Sequence, residues 1–374
     1  MEHDIEYENM VERRLFAKAY EKSVPIYGVL ELTPLCNMNC DMCYVRLSKS
    51  EMENQGKLKT LNEWLMLAKE MKEAGVLFVL LTGGEPLLYP WFKELYISLL
   101  EMGMVLTINT NGTLIDEQWI GFFSQHKPRR INITLYGDSE NGYDKLCHYK
   151  HGFDKAVKAI EGLKNAGVHV KINGSMTKAN VVCSDGILDI GERLDVPVRI
   201  DTYMCPGVRE RGRPFAFQTR MDPNLAAKIR IHVLRREMGD EVFKASCHHE
   251  FEKIKNTPYG EDKPYSMKCK AGRCSFTINW QGLMRPCVVM SEPSEEVFKI
   301  GFKQAWKNIT EKTKQIMGSS KCNQCNLRKY CNTCPAYALL EGGRYDAVPQ
   351  YLCQYTEHSL EYMKKELEKI SEEQ

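Results

Sequence analysis

Short β-branched runs alternate with Lys- and Glu-bearing helical segments between about residue 28 and about residue 205. Helices between the runs, such as 61–75 and 152–167, end at glycine, which commonly stops a helix. Strands that recur after a helix imply right-handed crossovers and a parallel sheet. The pattern predicts an α/β fold, a partial (β/α)6 TIM-like barrel whose site lies at the carboxyl ends of the strands. The six predicted strands are 28–33, 76–83, 104–110, 130–137, 168–174 and 196–203.

A cysteine-rich region and a charged helix follow the predicted barrel. Helical patterning continues through a connector, and cysteines then become frequent between residues 269 and 353. These changes in composition predict a smaller C-terminal domain. The expected divisions are an N-terminal extension at 1–27, the barrel at 28–221, a helical connector at 222–265, the cysteine-rich domain at 266–355 and a C-terminal helix at 356–374.

Composition limits the classes of partner and compartment. The chain has 374 residues with 43% hydrophobic content, which is enough for a large core, and its formal net charge is only +2. That charge favours neither nucleic acid nor an anionic membrane as a partner. The charged N-terminal segment and the absence of a long apolar run predict a cytoplasmic protein. In that compartment the 15 cysteines are better candidates for metal or redox use than for disulfides.

Three cysteines, Cys36, Cys40 and Cys43, follow the first predicted strand within "CNMNCDMCY". Structural zinc usually takes four ligands, and a four-iron four-sulfur cluster normally takes four cysteines. No further cysteine lies near Cys43 in the sequence. The spacing alone therefore allows a zinc site, a buried thiol cluster, or an iron-sulfur cluster with one open iron.

The Cys-x3-Cys-x2-Cys spacing resembles the signature of the radical S-adenosylmethionine (radical SAM) superfamily, and six βα units resemble its partial barrel. The resemblance implies that SAM occupies the open iron and is cleaved to a 5′-deoxyadenosyl radical that abstracts hydrogen from a substrate. It also implies an external low-potential electron donor such as flavodoxin or ferredoxin. Members of the superfamily usually carry an aromatic residue before the third cysteine, whereas this chain has Met42, whose thioether can also pack against the adenine.

Further motifs follow the next strands and resemble SAM-binding loops. "TGGEP" resembles the motif that binds the SAM amino group, with glycines for close approach and a glutamate to accept from the ammonium. The loops after strands three to five carry polar side chains that could reach SAM or serve only as turn residues. The candidate SAM contacts are Met42, Gly83, Gly84, Glu85, Pro86, Asn111, Thr134, Asn173 and Ser175.

Eight C-terminal cysteines can form two tetrads, and their spacing resembles the SPASM domain with two auxiliary four-iron four-sulfur clusters. Two all-cysteine zinc sites are the alternative. Three four-iron clusters and SAM are thus the expected cofactors. The ligand order in that family implies one cluster on Cys269, Cys274, Cys287 and Cys334, and another on Cys322, Cys325, Cys331 and Cys353. The four other cysteines, Cys147, Cys183, Cys205 and Cys247, are expected to be buried apolar residues, with Cys147 and Cys205 near the active end.

The substrate is open at this stage. Thioether or other cross-link formation in a ribosomally made peptide is one hypothesis, since residues 132–146 are similar to loops of thioether-forming SPASM enzymes. Radical oxidation or epimerisation of a small molecule, such as a sugar or amino acid derivative, is the alternative. A non-catalytic iron-sulfur electron carrier or a zinc-stabilised interaction protein is a further alternative. Val288 follows Cys287 where sulfatase-maturing members have an Asp base, which argues against that activity; no catalytic acid or base is identified.

Overall fold

The computed structural model describes residues 10–212, 219–256, 260–331 and 333–372. The first nine residues of the predicted N-terminal extension lie outside these ranges. The α/β class is confirmed, with a parallel barrel-like sheet followed by a smaller cysteine-rich region. None of the described helices combines the length and the apolar composition needed to cross a bilayer.

The first six strands lie side by side in chain order, and every neighbouring pair is parallel. Each lies within the corresponding predicted segment or differs from it by one residue at an end. Parallel pairing follows from the helix that returns the chain between strands. The strands are β1 Tyr27–Glu31, β2 Phe78–Thr82, β3 Val105–Thr110, β4 Arg130–Thr134, β5 Val170–Ser175 and β6 Val198–Asp201.

The helices of the barrel cover the outer face of the sheet. Two of them begin with a capping box. The hydroxyl of Ser48 or Thr60 accepts from the backbone N–H three residues later, and the glutamate at that position accepts from the N–H of the capping residue. The helices are α1 Met10–Lys22, α2 Lys49–Gln55, α3 Leu61–Glu73, α4 Phe92–Glu101, α5 Glu117–Gln125, α6 Glu140–Cys147, α7 Gly152–Asn165 and α8 Ser184–Leu194.

The two faces of the barrel sheet differ in polarity. Alternate side chains of a strand point to opposite faces. One set, including Leu81, Ile133 and Ile172, is almost fully buried in the main apolar cluster with the helices. The other set is largely polar toward the carboxyl ends, and Asn132 donates to Asn109 across two strands at 2.7 Å. The concave side of the barrel is therefore a polar surface built on an apolar wall.

The C-terminal region extends the same sheet, which the sequence analysis did not predict. Strand β8 pairs in parallel with β1, β9 returns antiparallel to β8, and β10 pairs with β9. In the described part of the chain, the large sheet thus has nine strands. The remaining strands are β7 Tyr265–Ser266, β8 Ser275–Ile278, β9 Leu283–Arg285, β10 Glu295–Glu296 and β11 Met317–Gly318, with β7 and β11 forming a separate pair.

Helices complete the C-terminal half. The predicted connector consists of α9 Pro223–Met238 and α10 Asp240–Lys255, and the last helix packs against both. Cys247 is 1% exposed in their shared apolar cluster with Phe243 and Met363. The other helices are α11 Val297–Ile300, α12 Phe302–Lys314, α13 Ser320–Gln324, α14 Pro335–Gly342 and α15 Gln350–Glu372.

A buried charge network joins the barrel to the C-terminal hairpin. Both oxygens of Glu31, at the end of β1, accept from the guanidinium of Arg209, at 2.6 and 2.5 Å. The Arg209 side chain also donates to Glu210 at 3.2 Å, and Glu210 accepts from Arg285 of β9 at 2.8 Å. Two carboxylates and two guanidinium groups thereby balance each other's charge where the two halves meet.

The turn after β2 packs backbone to backbone against the segment after β1. The N–H of Gly84 donates to the Thr33 carbonyl at 2.6 Å, and the N–H of Glu85 donates to the Leu35 carbonyl at 2.8 Å. A Cβ atom at Gly84 would lie 2.3 Å from the Leu35 oxygen. Glycine is therefore required here because another backbone occupies the space of a side chain.

We predict that Gly84→Ala destabilises the protein by about 1–3 kcal/mol, because the new methyl group forces these two backbones apart. Gly121→Ala is the matched control, since a Cβ in this helical position meets no atom within 4 Å. Removing a mid-helix glycine should stabilise the fold by about 0.5–1 kcal/mol. Chemical denaturation followed by circular dichroism measures both. Equal midpoints for the two variants would contradict the close-packing argument.

We also predict that Arg209→Ala lowers the free energy of unfolding by about 3–5 kcal/mol, because Glu31 would remain buried without its partner. The control is Arg344→Ala, which removes an exposed ion pair with Asp346 and should leave the denaturation midpoint unchanged. If Arg209→Ala unfolds at the same denaturant concentration as the control, the network does not stabilise the junction.

Candidate active site

The cysteine loop follows β1 at the carboxyl end of the barrel and brings Cys36, Cys40 and Cys43 together. Burial raises the pKa of the Cys36 thiol to about 12; the Met38 N–H opposes this rise, and negative charge on Glu85, Cys43 and Cys40 adds to it. Burial likewise raises the pKa of Cys43, and the charge of Cys40 adds to it. The three thiols therefore sense one another in a poorly hydrated place.

Hydrogen-bond donors point at two of these sulfurs. The Met38 N–H lies 3.4 Å from the Cys36 Sγ atom, and the Asn111 Nδ2 atom lies 3.7 Å from it. The Arg46 N–H lies 3.3 Å from the Cys43 Sγ atom. Such donors stabilise negative charge on sulfur and tune iron-sulfur clusters.

The three cysteines of this loop fit the iron-sulfur cluster that the resemblance implies. Within the described ranges, no three His, Cys, Asp or Glu side chains are grouped closely enough to hold a single metal ion. The fit therefore concerns a multi-iron cluster, in which each thiolate binds a different iron. Coordination to iron removes the thiol protons, and the resulting thiolates would repel one another without the metal. Buried cysteines that receive N–H donors therefore suit an iron-sulfur cluster.

The end of α6 holds the middle of the loop. The N–H groups of Asn39 and Asp41 donate to the carbonyls of Cys147 and Leu146 at 3.0 and 3.1 Å. A hydrogen bond from Cys147 lowers the pKa of Cys40, against the effect of burial. Cys147 is thus a fully buried thiol beside Cys40, near the active end of the barrel.

Glu85 connects the ends of β2 and β3. It is fully buried, and its carboxylate accepts from the Thr110 hydroxyl at 2.8 Å and from the N–H groups of Asn111 and Leu87 at 2.9 and 3.1 Å. Burial raises the pKa of Glu85 to about 7, although these hydrogen bonds oppose the rise. A carboxylate offers about four acceptor positions, so one remains for the predicted ammonium contact. Pro86 begins the short 3₁₀ turn that follows.

Asn111 links the loop after β3 to the cysteine loop. Its Nδ2 atom donates to the Asn37 Oδ1 atom at 2.8 Å, and its Oδ1 atom accepts from the Thr113 hydroxyl at 2.7 Å. The Asn37 amide in turn donates to the Thr113 hydroxyl at 2.8 Å. Neither Asn37 nor Thr113 was among the candidate contacts predicted from the sequence, although Asn37 lies within the cysteine motif and Thr113 in the loop after the third predicted strand. The signal available in the sequence was their position, since Asn37 directly follows Cys36 and Thr113 lies two residues after Asn111.

The remaining candidate SAM contacts lie on two surfaces. Thr134 and Asn173 are register partners on β4 and β5, and Ser175 follows on the same face of β5. These half-buried residues belong to the polar concave side. Met42, by contrast, is 6% exposed and packs in the main apolar cluster. The structure thus groups the strand residues at one rim and buries the Met42 side chain in the main apolar cluster.

The cysteines predicted for the first C-terminal group lie at two buried apolar clusters. Cys269, Cys287 and Cys334 border one apolar cluster with Met267 and Met290. Burial raises the pKa of Cys287 to about 12, and the charges of Cys269 and Cys334 contribute. Cys274 is fully buried in a different cluster.

The second C-terminal group assembles all four of its predicted cysteines. Burial raises the pKa of Cys353 to about 11, and the charges of Cys331, Cys322 and Cys325 raise it further. Cys325 is exposed, whereas Cys322 is buried. This group therefore lies closer to solvent than the other two.

The segment after β6 lies between the first cysteine loop and the first C-terminal group. Arg209 stacks 5.6 Å from the ring centre of Tyr44, the residue after Cys43, and donates to the carbonyl of Val288, the residue after Cys287, at 3.0 Å. Arg211 donates to the Cys43 carbonyl. These arginines were not predicted from the sequence, because a basic run in a loop gives no signal of its buried partners.

Comparisons with known proteins agree with this arrangement. Residues 30–183 match the Radical SAM superfamily. The Fe-coproporphyrin III synthase of Methanosarcina barkeri is 30% identical over 45% of this chain, an alignment that spans only 41% of that relative. The AdoMet-dependent heme synthase of Oleidesulfovibrio alaskensis is 24% identical over 87% of this chain and 86% of its own length.

Two solved structures share the fold over nearly the whole chain. SuiB of Streptococcus suis, solved with its precursor peptide SuiA, has a TM-score of 0.64 at 18% identity and covers 93% of this chain and 82% of its own. The enzyme anSMEcpe, solved with AdoMet and a peptide, has a TM-score of 0.66 at 17% identity and covers 94% of this chain and 100% of its own. Together with the cysteine loop, these findings identify residues 30–183 as a radical SAM domain, within a chain that shares its fold with SuiB and anSMEcpe.

Proposed function

We propose that this enzyme modifies a ribosomally made peptide by radical chemistry, forming a thioether or another cross-link. The observation that carries the proposal is the position of the first C-terminal cysteine group, which the Arg209 segment connects to the loop of Cys36, Cys40 and Cys43. Two solved structures with the same fold contain peptides, which supports a peptide as the substrate class.

The electron balance explains why two cysteine sites would serve one substrate. Joining a thiol to a carbon that carries hydrogen removes two hydrogen atoms from the peptide. One leaves as an abstracted hydrogen atom, and the other leaves as the thiol proton plus one electron. That electron needs an acceptor near the reacting carbon, and Cys269, Cys287 and Cys334 would hold one.

The chain's own residues hold and orient the reacting groups. When bound, the iron-sulfur cluster and SAM supply sulfonium cleavage and hydrogen abstraction. Cys36, Cys40 and Cys43 would hold the iron, while Asn111 and the Met38 N–H steady the Cys36 sulfur. Thr134, Asn173 and Ser175 would contact SAM from the polar rim, and the apolar wall behind the sheet keeps that rim rigid.

A small-molecule reaction is the second candidate. The heme synthase relative matches 87% of this chain, so an iron tetrapyrrole precursor of heme is the small molecule that this observation favours over a sugar or an amino acid derivative. Sulfatase-maturing members have an Asp base at the position of Val288. Here that position carries no carboxylate, and the Val288 backbone carbonyl accepts from Arg209.

We further propose an external low-potential electron donor such as flavodoxin or ferredoxin, and a cytoplasmic location. The second C-terminal group supports the donor, because Cys325 is exposed there together with Lys321 and Lys329, which would attract an acidic redox protein. The location is supported by the 15 cysteines, all within the described ranges, since none of them forms a disulfide.

We predict that Cys36→Ala abolishes SAM cleavage, because the loss of one of three ligands removes the site that would bind SAM. Cys322→Ala should keep some uncoupled SAM cleavage and lose most product. Cys247→Ala is the control for removing a buried thiol elsewhere and should keep both. The readouts are 5′-deoxyadenosine and product by mass spectrometry, with a circular dichroism melt for folding. A folded Cys322→Ala variant with full product formation would leave that group a structural role only.

The two substrate classes give different expected products. With SAM and a chemical reductant, a cysteine-containing precursor peptide encoded beside the gene should lose two hydrogens per cross-link, and tandem mass spectrometry should show the joined residues. The iron tetrapyrrole precursor should remain unchanged. Conversion of the tetrapyrrole without any change in the peptide would favour the second candidate. SAM cleavage with neither substrate altered would contradict both.

A further inference from the structure

The face of α6 that meets the first cysteine loop carries Tyr143 and Cys147. These residues are one helical turn apart, so their side chains lie on the same side of the helix. Both are fully buried in the main apolar cluster. Backbone hydrogen bonds of 3.0 and 3.1 Å join the last two residues of α6 to the residues on either side of Cys40. This face of α6 therefore packs directly against the middle of the loop.

Cys147 already donates to the loop. Its thiol hydrogen-bonds the Cys40 sulfur and, together with the Tyr136 hydroxyl, holds the pKa of Cys40 below its usual value although burial opposes this. Burial raises the pKa of Cys147 itself, so the thiol keeps its proton and remains a donor. The Cys40 sulfur thus receives hydrogen bonds from side chains at the place where it would bind iron.

Tyr143 has a buried hydroxyl that lacks a partner. Its oxygen is enclosed and makes no hydrogen bond within the described part of the chain. The surrounding backbone holds the residue in place, since a Cβ atom at Gly137 would lie 2.7 Å from the Tyr143 nitrogen, and one at Gly152 would lie 2.6 Å from its ring. The Tyr136 ring meets the Tyr143 ring edge-on at 5.9 Å. Because an unsatisfied buried hydroxyl lowers stability, this one indicates an acceptor that joins the protein after folding.

The surroundings of Tyr143 indicate which acceptor this is. Burial raises the pKa of Tyr143, and negative charge on Cys147, Cys40 and Cys36 raises it further. Two of these three cysteines belong to the loop that would hold the first iron-sulfur cluster. The sulfurs of such a cluster accept hydrogen bonds, and these bonds tune its reduction potential.

We propose that α6 is the donor helix of the first iron-sulfur cluster: Cys147 donates to the Cys40 sulfur, and the Tyr143 hydroxyl donates to a sulfur of the cluster. Both are positioning residues that act through the cluster. Hydrogen bonds stabilise the more negative, reduced form, so these two donors raise the reduction potential. The inference rests on the proposed function only in requiring a cluster on Cys36, Cys40 and Cys43, and the identity of the substrate does not enter it.

The test compares Cys147→Ala, Cys147→Ser and Tyr143→Phe in the full chain, reconstituted anaerobically with iron and sulfide. A reductive titration followed by electron paramagnetic resonance gives the potential of the signal that changes when SAM is added, which belongs to the cluster with the open iron. At the midpoint potential of the unmodified protein, the ratio of reduced to oxidised cluster should fall about three- to tenfold in Cys147→Ala and in Tyr143→Phe. Cys147→Ser keeps a donor and should stay near the unmodified ratio.

The unsatisfied hydroxyl gives a second readout, which needs no iron. Tyr143→Phe without iron should unfold at the same denaturant concentration as the unmodified protein or at a higher one. Tyr96→Phe is the matched control, because it removes a buried hydroxyl that donates to the His126 carbonyl at 2.7 Å. It should unfold earlier and leave the potential of the first cluster unchanged. Cys247→Ala is the corresponding control for a buried thiol, and it should also leave that potential unchanged.

Unchanged potentials in folded Cys147→Ala and Tyr143→Phe overturn the proposal, and so does earlier unfolding of iron-free Tyr143→Phe. Equal losses in Cys147→Ala and Cys147→Ser would mean that Cys147 serves packing, which overturns its role as a donor. A circular dichroism melt shows whether each variant is folded, and Tyr143→Phe decides if Cys147→Ala is not. If the unmodified protein gives no signal that responds to SAM, the first cluster itself is contradicted, and this assignment fails with it.

Discussion

The buried pair of Glu31 and Arg209 is the interaction on which the arrangement of sites depends. Glu31 ends the strand that leads into the first cysteine loop, and Arg209 also holds the carbonyl after Cys287. Neither charge would be tolerated there alone, since an isolated buried ion costs several kcal/mol. Their mutual dependence fixes the distance between the two cysteine-bearing parts of the chain, and the electron transfer proposed between them would depend on that distance.

The polar concave side of the barrel and its apolar outer side have one origin. Period-two alternation along β3 to β5 directs Ile108, Ile133 and Ile172 toward the helices and leaves amides and hydroxyls on the opposite face. The core that stabilises the barrel therefore also positions the groups that would contact SAM. Because Glu85 and Asn111 use hydrogen bonds within the protein as well, the loops at this end are ordered by the same polar residues that form the site.

The sequence predicted the parts of the fold that local patterns determine. Six β-branched runs and their glycine-terminated helices specify the parallel barrel, and the cysteine loop follows β1 because motif and strand are adjacent in sequence. The C-terminal hairpin was not predicted as part of the sheet, since β8 and β9 are too short to show alternation. The buried partners of Arg209 and the contact of Arg211 with the Cys43 carbonyl were equally out of reach. Each depends on contacts between segments far apart in the chain.

The pairing of β1 with β8 has a consequence for how the protein is made. Tyr27 pairs with Ser275, so one edge of the strand before the cysteine loop stays open until most of the chain has left the ribosome. At ordinary rates of synthesis this interval lasts on the order of 10–50 s. An uncovered edge strand can pair with other nascent chains. Protection of β1 during translation, for example by a chaperone, is therefore expected to raise the yield of the folded protein.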